Sequence, residues 1–372
     1  MPIHGDRLNK PTYAILRSLD GGTVGDAWVT YHEIFGRQVV QKRYSTLGLE
    51  DTVAYREPRL LRDITHEHVA EVLEAQFDRE MDRAITFVMP YYDGRSIAKA
   101  LDEGYVFSVH RALKLTMQML DALAHVHREH RYIHRDVKPG NVLLNGDRDW
   151  VYLGDWGSAA EMGDDGRVAA IHGSPLYTPP EGGPDDGAMG LTGDVYGTGL
   201  TLHEMLNGPF PYADISPEMV DKRLAAGKRA LPNAGFEHWD PCVPGELRTV
   251  VRNALRLHPS DRYASCSSFR TRLGRIRCID WKRVEGRADD LDGVWEGTWP
   301  PRRREDQRRR YRVASRVLRT GVRSVEAVGA LPGSTWRRFG VEDVRVPPDD
   351  RPAVERFFAD VATRAAQRDP AQ

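Results

Sequence analysis

The eight residues from His134 to Asn141, together with Asp155, constrain this chain more than any other part of its sequence. The segment is His-Arg-Asp-Val-Lys-Pro-Gly-Asn, and an Asp-Trp-Gly triplet begins fourteen positions after the asparagine. Asp136 offers a carboxylate to a hydroxyl group and Lys138 offers a cation, while Asn141 and Asp155 offer oxygen ligands of the kind that Mg²⁺ prefers. These are the groups that phosphoryl transfer from a nucleotide requires: an oriented hydroxyl, metal ions and neutralised phosphate charge.

The segment resembles the catalytic loop of the eukaryotic-type (Hanks-type) protein Ser/Thr kinases, and further motifs of that family follow in the family's order between about Tyr13 and Cys278. The resemblance implies an α+β, bilobal protein kinase fold at residues 12–278. Its β-rich N-lobe would occupy about 12–90 and its helical C-lobe about 95–278. The resemblance also implies ATP and Mg as cofactors.

The nucleotide site implied by this resemblance lies mostly in the N-lobe. Gly22 and Gly25 match the second and third glycines of the phosphate-covering loop, whereas Asp20 stands where the family has its first glycine. Lys42 is expected to hold the α- and β-phosphates, with Glu57 as its partner. For the apolar members of the adenine site, simple core packing is an equally supported alternative. The implied adenine contacts are Ala27, Val40, Met89 as gatekeeper, Pro90, Tyr92 and Leu143.

Three structural residues separate protein kinases from related enzymes that phosphorylate small molecules. Residues 173–181 are similar to the peptide-docking end of the kinase activation segment. Within it, Glu181 is expected to pair with Arg262, and Asp194 is expected to hold the backbone of the catalytic loop. Small-molecule phosphotransferases of related fold lack this docking segment and its Glu–Arg pair. A protein substrate is therefore favoured.

The residues beside the catalytic motifs predict how the activation segment is held. Trp156 replaces the family's usual Phe and is expected to stack on His134. Arg135 is the residue that, in many relatives, grips a phosphate on this segment. No Ser, Thr or Tyr lies between Ala159 and Gly173, so we expect activity without phosphorylation there. The permanent negative charges proposed to pair with Arg135 are those of Glu161, Asp164 and Asp165.

Residues 281–372 differ in charge from the rest of the chain, with 20 basic and 15 acidic residues against 33 and 39 in the first 280. Alternating runs and a closing helix capped by Asp350 predict a small C-terminal α+β appendage. Ten arginines lie between Arg302 and Arg323, in a chain with 45 Arg and only 8 Lys. A solvated face is therefore favoured. An acidic partner, or docking on the acidic kinase lobe, stays open, and nucleic acid is less favoured.

Composition sets the remaining expectations. No apolar run approaches the roughly 20 residues of a membrane-spanning helix, and the first residues lack a signal pattern. Cys242, Cys266 and Cys278 have neither disulfide-framework nor zinc-site spacing. These features predict a cytoplasmic protein without membrane contact.

The resemblance thus predicts an ATP- and Mg-dependent Ser/Thr protein kinase. One alternative is a pseudokinase, a scaffold or binding module, which the incomplete glycine loop and Trp156 favour. Retention of Lys42, Glu57 and Asp136 with both metal ligands argues against it. The second alternative is a small-molecule phosphotransferase, which the docking segment disfavours.

Overall fold

The computed structural model describes most of the chain. The predicted glycine-rich loop, with Gly22 and Gly25, lies outside the described residues, as do Arg302–Arg304 of the arginine cluster. The described residues are 13–19, 26–45, 55–77, 84–169, 174–183, 187–211, 215–232, 238–287, 290–299 and 308–368.

An antiparallel sheet and one helix form the N-lobe. They comprise β1 (Tyr13–Ser18), β2 (Asp26–His32), β3 (Arg37–Ser45), α1 (Arg56–Asp63), β4 (Glu74–Phe77) and β5 (Ala84–Pro90). The strand order is β1-β2-β3-β5-β4. A turn at Gly36, whose φ is 62°, joins β2 to β3 in an antiparallel hairpin.

Helices dominate the C-lobe, as the sequence predicted. The described helices are α2 (Ile97–Asp102), α3 (Val109–His125), α4 (Leu191–Asn207), α5 (Pro217–Ala225), α6 (Gly245–Ala254) and α7 (Cys266–Leu273). Between α3 and α4 run the short strands β6 (Tyr132–Ile133), β7 (Val142–Leu144), β8 (Val151–Leu153), β9 (Ala160–Glu161), β10 (Val168–Ala169) and β11 (Ala188–Met189). The Ser108 hydroxyl accepts a hydrogen bond from the Arg111 N–H at the start of α3 and so caps this helix.

Helix α4 packs directly against the catalytic loop. Asp194 lies in its first turn. A Cβ atom at Gly197 would lie only 2.5 Å from the Val137 carbonyl oxygen. Glycine at this position therefore lets the helix and the loop approach closely.

A sheet and a helix at the C-terminus match the predicted α+β composition. They are β12 (Asp280–Glu285), β13 (Gly293–Thr298), β14 (Arg310–Val317), β15 (Arg323–Ala330), β16 (Val344–Val346) and α8 (Arg351–Arg368). The strands pair in sequence order and each pair is antiparallel. Asp350 accepts a hydrogen bond from the Ala353 N–H, which confirms it as the cap of α8.

The appendage shares one continuous hydrophobic core with the C-lobe. Trp281 and Trp295 contact Phe358 of α8 edge to face. Polar contacts reinforce this junction, because Asp280 accepts a hydrogen bond from the His110 N–H and Arg283 pairs with Asp240 at 2.9 Å. The appendage is thus packed against the C-lobe through a shared core.

The described residues include all three cysteines. Cys242, Cys266 and Cys278 are all buried and none forms a disulfide. Among the helices of the described residues, none is long and apolar enough to cross a bilayer.

Candidate active site

The two lobes enclose a cleft with a volume of about 690 Å³. It holds both ends of the predicted nucleotide site, apolar contacts at one end and charged groups at the other. Glu57 does not line the cleft, although it lies close to Lys42, which does. Gly22 and Gly25 are outside the described residues. The predicted residues that line the cleft are Ala27, Val40, Lys42, Met89, Pro90, Tyr92, Lys138, Asn141, Leu143 and Asp155.

Strand register forms the apolar end of the cleft. Val40 of β3 lies opposite Met89 of β5, and Met89 is buried. Tyr92, just after β5, stacks on Tyr152 with ring centroids 4.2 Å apart. Leu143 of β7 packs against the same cluster, so side chains of both lobes enclose a slot suited to a flat ring.

Lys42 lies between two carboxylates at the charged end. Its Nζ is 3.4 Å from Asp155 Oδ1 and 3.9 Å from Glu57 Oε1. The Tyr44 hydroxyl accepts a hydrogen bond from Lys42 Nζ at 3.0 Å and donates one to Glu57 Oε2 at 2.8 Å. The predicted Lys42–Glu57 partnership is therefore present, with a tyrosine hydroxyl between the two charges.

The protonation states of this group follow from burial and charge. Burial raises the pKa of Glu57, although Lys42 opposes that shift. Burial by itself would lower the pKa of Lys42, but Glu57 and Asp155 raise it above its usual value. Lys42 therefore remains a cation, available to phosphate oxygens.

Asp136 is the centre of the catalytic loop. Its Oδ2 accepts hydrogen bonds from Lys138 Nζ at 2.8 Å and from Asn141 Nδ2 at 3.0 Å. Its Oδ1 receives one longer bond, 3.3 Å, from the Ser174 N–H. Lys138 also donates to the Ser174 hydroxyl. The carboxylate is thus held mainly through Oδ2, while Oδ1, with one longer bond, has acceptor capacity left.

Asp194 holds the backbone of this loop, as predicted. It accepts hydrogen bonds from the backbone N–H groups of His134 at 2.9 Å and Arg135 at 3.0 Å, and from His127 Nε2 at 2.7 Å. Burial would raise the pKa of Asp194, but these bonds, above all that from His127, hold it below its usual value. The loop is therefore fixed by a buried, ionised carboxylate.

Trp156 fits the position where the family has Phe. It is fully buried and its ring centroid lies 4.4 Å from that of His134, with the ring planes 55° apart, so the two rings are in contact but tilted rather than stacked as expected. The indole N–H donates to the Leu153 carbonyl at 3.0 Å, and the Trp156 backbone N–H donates to Glu57 Oε1 at 3.2 Å. The larger ring thus carries no unsatisfied donor.

Asn141 and Asp155 form an oxygen-donor set that suits Mg²⁺. The Asn141 amide nitrogen is engaged by the Asp136 carbonyl and carboxylate, so its amide oxygen is directed away from them. The Asp155 side chain is 39% exposed and lines the cleft. Mg²⁺ is commonly bound by one or two such ligands together with substrate phosphates. These residues therefore fit the metal.

Arg135 does not pair with the acidic residues proposed for it. Its Nε donates to the Ser158 carbonyl at 2.5 Å and one terminal nitrogen donates to the Ala169 carbonyl at 2.7 Å. The expected pairing with Glu161, Asp164 or Asp165 is wrong in this structure. The guanidinium instead donates to backbone carbonyls at two points of the activation segment, and these two bonds need no negatively charged partner.

Replacing Arg135 with Ala should lower phosphotransfer about tenfold, since hydrogen bonds from a charged group that hold the segment would be lost. Backbone amides near Ser158 and Ala169 should also exchange hydrogen faster. Mass spectrometry of hydrogen exchange, beside a kinetic assay, measures both effects. Arg131→Ala is the matched control, because Arg131 also donates to a carbonyl of this segment, at Gly163, but from an exposed position. Wild-type rates and exchange in Arg135→Ala would contradict the assignment.

The docking end of the activation segment is anchored as predicted. Glu181 accepts hydrogen bonds from both terminal nitrogens of Arg262, at 2.6 and 2.7 Å. Arg262 also donates to the carbonyls of Thr192 and Leu257, and its side chain is fully buried. This bidentate pair fixes residues 174–183 against the C-lobe.

Three contributors were absent from the sequence prediction of the site. Tyr44 joins Lys42 to Glu57, Ser174 joins the activation segment to the catalytic carboxylate, and His127 supports Asp194. Of these three residues, only Tyr44 could have been identified from the sequence, since residues two apart in a strand point to the same face and Tyr44 follows Lys42 by two. The other two contacts join residues far apart in the chain.

Comparison with known proteins agrees with this geometry. The family model described as "Protein kinase domain" matches residues 13–272. A probable serine/threonine-protein kinase of Streptomyces coelicolor is 29% identical over 279 residues, covering 73% of this chain and 40% of that protein. PkaA, a serine/threonine-protein kinase of the same organism, is 33% identical over 216 residues, covering 56% of this chain and 36% of its own.

A third relative comes from another bacterium. The serine/threonine-protein kinase Pkn1 of Myxococcus xanthus is 27% identical over 304 residues, covering 79% of this chain and 42% of that protein. The chain therefore spans about two fifths of the length of these curated relatives.

Proposed function

This chain belongs to the protein kinase family, and we propose that it is an ATP- and Mg²⁺-dependent kinase that phosphorylates Ser or Thr hydroxyls of a protein. One observation carries the proposal. Ser174, in the peptide-docking part of the activation segment, contacts both Asp136 and Lys138. The surface that would receive a peptide is thus joined by hydrogen bonds to the group that would orient its hydroxyl.

The asymmetry of Asp136 assigns a role to each oxygen. Oδ2 is occupied by Lys138 and Asn141, so Oδ1 is the atom that would accept the hydroxyl proton. As that proton passes to Oδ1, a bond forms between the hydroxyl oxygen and the γ-phosphorus. The bond from this phosphorus to the β,γ-bridging oxygen breaks, and ADP leaves with the electron pair. Lys138, beside Oδ2, would balance charge on the moving phosphoryl group.

Charge on the nucleotide would be balanced at the other end of the cleft. Lys42 would bind the α- and β-phosphates in its position between Glu57 and Asp155. A bound Mg²⁺ would neutralise phosphate charge. Asn141 and Asp155 are the residues that would hold it.

Both rival functions find less support. A pseudokinase scaffold needs no ordered carboxylate, lysine and amide in one network, whereas Asp136, Lys138 and Asn141 form one here. A small-molecule phosphotransferase needs no segment fixed by Glu181 and Arg262 beside the catalytic loop. The protein kinase hypothesis uses both features.

The test is phosphate transfer from labelled ATP with Mg²⁺ to a generic basic protein, with autophosphorylation as a second readout and a panel of metabolites and antibiotics in parallel. We expect label on Ser or Thr of proteins and none on the panel. The matched control is Asp136→Asn. ATP binding without transfer would favour the scaffold, and label on a panel member would favour the small-molecule enzyme.

For the chain as a whole, we propose a catalytic domain at residues 12–278 with the appendage at 281–372 held permanently on its C-lobe. The contact between Arg283 and Asp240 supports this arrangement. A cytoplasmic location is supported by three cysteines that are buried and unpaired, as is usual in a reducing compartment. An acidic partner for the arginine-rich part of the appendage remains a hypothesis.

A further inference from the structure

Tyr44 occupies a position that the catalytic motifs do not account for. It lies two residues after Lys42 in β3, so both side chains point to the same face of the sheet. Its ring stacks on Phe87 of β5, with centroids 5.5 Å apart and planes 17° from parallel. The ring is therefore held in place by packing, and its hydroxyl is aimed at the charged end of the cleft.

The hydroxyl closes a gap between Lys42 and Glu57. The direct distance from Lys42 Nζ to Glu57 Oε1 is 3.9 Å, which is too long for a hydrogen bond. The path through Tyr44 is made of two good hydrogen bonds, at 3.0 Å from Lys42 and 2.8 Å to Glu57. Burial and the charge of Glu57 raise the pKa of Tyr44, so the hydroxyl keeps its proton and can donate it.

A second carboxylate competes for Lys42. Asp155 Oδ1 lies 3.4 Å from the same Nζ atom, and Asp155 is also one of the two residues that would hold the metal. An ammonium drawn fully onto Asp155 would weaken that metal site and leave the phosphates without their cation. The Tyr44 hydroxyl gives Lys42 a third contact, on the side of Glu57.

Glu57 extends these hydrogen bonds to the Asp-Trp-Gly motif. Its side chain is buried, and its Oε1 accepts a hydrogen bond from the Trp156 backbone N–H while its Oε2 receives Tyr44. Lys42, Tyr44, Glu57 and the start of the Asp-Trp-Gly turn thus form one hydrogen-bonded chain. A displacement of Tyr44 would therefore alter the positions of both Lys42 and Trp156.

We propose that Tyr44 is a positioning residue for the nucleotide: its hydroxyl holds Lys42 between Glu57 and Asp155, in the place where the ammonium meets the ATP phosphates. The inference rests on the proposed kinase function and adds a residue to it. Tyr44 itself contacts no phosphate in this arrangement and acts through Lys42 and Glu57.

Tyr44→Phe removes the hydroxyl and keeps the ring on Phe87. We expect the Kd and the KM for Mg·ATP to rise about tenfold, as for loss of a hydrogen bond to a charged group, with a smaller change in kcat. The KM for the protein substrate should not change. Isothermal titration with Mg·ATP and steady-state kinetics on the full chain measure these quantities.

Two comparisons separate positioning from a general loss of structure. Tyr13→Phe removes the hydroxyl that donates to Glu74 in the same sheet, outside the cleft, and should leave the KM for ATP unchanged. In a double-mutant cycle, Tyr44→Phe in a Glu57→Gln background should cost clearly less than tenfold, since the carboxylate that the hydroxyl serves is gone.

The outcomes are decisive in either direction. Wild-type ATP affinity and KM in Tyr44→Phe, an equal loss in Tyr13→Phe, or a loss that adds fully in the Glu57→Gln background would each overturn the inference. If the wild-type chain binds ATP but transfers no phosphate, the proposed function fails, and the titration still decides whether Tyr44 positions Lys42. If the wild type transfers phosphate and Tyr44→Phe matches it, the inference about Tyr44 alone fails.

Discussion

Replacing Asp136 with Asn should lower kcat by about 10²- to 10⁴-fold, the range expected when a group that accepts a proton in the transition state is lost. The fold should be retained, because asparagine has nearly the same shape as aspartate. The measurement is the initial rate of transfer from labelled ATP, beside a thermal unfolding curve for each protein.

The size of this effect follows from the hydrogen bonds around the carboxylate. Lys138 and the Asn141 amide both donate to Oδ2. An amide at position 136 would turn its oxygen toward these two donors, which places its NH₂ group where Oδ1 now lies. The substrate hydroxyl would then face a donor that cannot take its proton.

Asp149→Asn is the matched control. Asp149 also pairs with a lysine, Lys114, at 3.0 Å, close to the 2.8 Å of the Asp136–Lys138 pair, but it lies between β7 and β8 rather than in the catalytic loop. Its replacement should leave kcat within about twofold, as expected of an exposed ion pair. A rate for Asp136→Asn within threefold of the wild type would exclude Asp136 as the acceptor of the hydroxyl proton.

The sequence was sufficient for the parts of the site that lie within short segments. Asp136, Lys138 and Asn141 are separated by at most five residues, and the geometry of one loop brings them together. The Glu181–Arg262 pair was also predicted, although 81 residues separate its members, because the resemblance supplied both positions.

The sequence did not predict the contacts of side chains that have several possible partners. Arg135 could meet acids or carbonyls, and only the path of the activation segment decides between them. The same holds for Tyr44, because its hydroxyl reaches Glu57 only once α1 has packed against β3. Such contacts depend on how separate elements meet, and hydrophobic periodicity does not encode that.

In the appendage too, the local elements were predicted and the packing between elements was not. Alternation predicted its strands, and the Asp350 cap predicted its helix, since both are local patterns. Docking of the appendage on the kinase lobe was an alternative left open from its charge, but its apolar core contacts with the C-lobe were not predicted, because inward-facing aromatic residues are equally suited to a separate small core. The members of the buried Arg283–Asp240 pair are 43 residues apart. Replacing Arg283 therefore tests whether the core is shared or separate.

Arg283→Ala should lower the free energy of unfolding by about 3–5 kcal/mol, the usual cost of leaving one partner of a buried ion pair alone. Both side chains are nearly inaccessible, at 4% and 6% exposed. Asp240 also accepts a hydrogen bond from the Trp295 indole at 2.8 Å, so the loss would reach the shared core. Denaturant unfolding followed by tryptophan fluorescence measures the change.

Two further variants serve as controls for this prediction. Arg316→Ala removes an exposed partner of Glu326 in the same sheet, at 3.8 Å, and should change stability by less than about 1 kcal/mol. Asp240→Asn combined with Arg283→Met should recover part of the loss, because it removes the unpaired charge and keeps an oxygen for Trp295. If Arg283→Ala instead unfolded the appendage in a separate, earlier transition and left the kinase transition unchanged, the shared core would not be cooperative. The appendage would then be an independent domain, because a continuous core requires that both parts lose stability together.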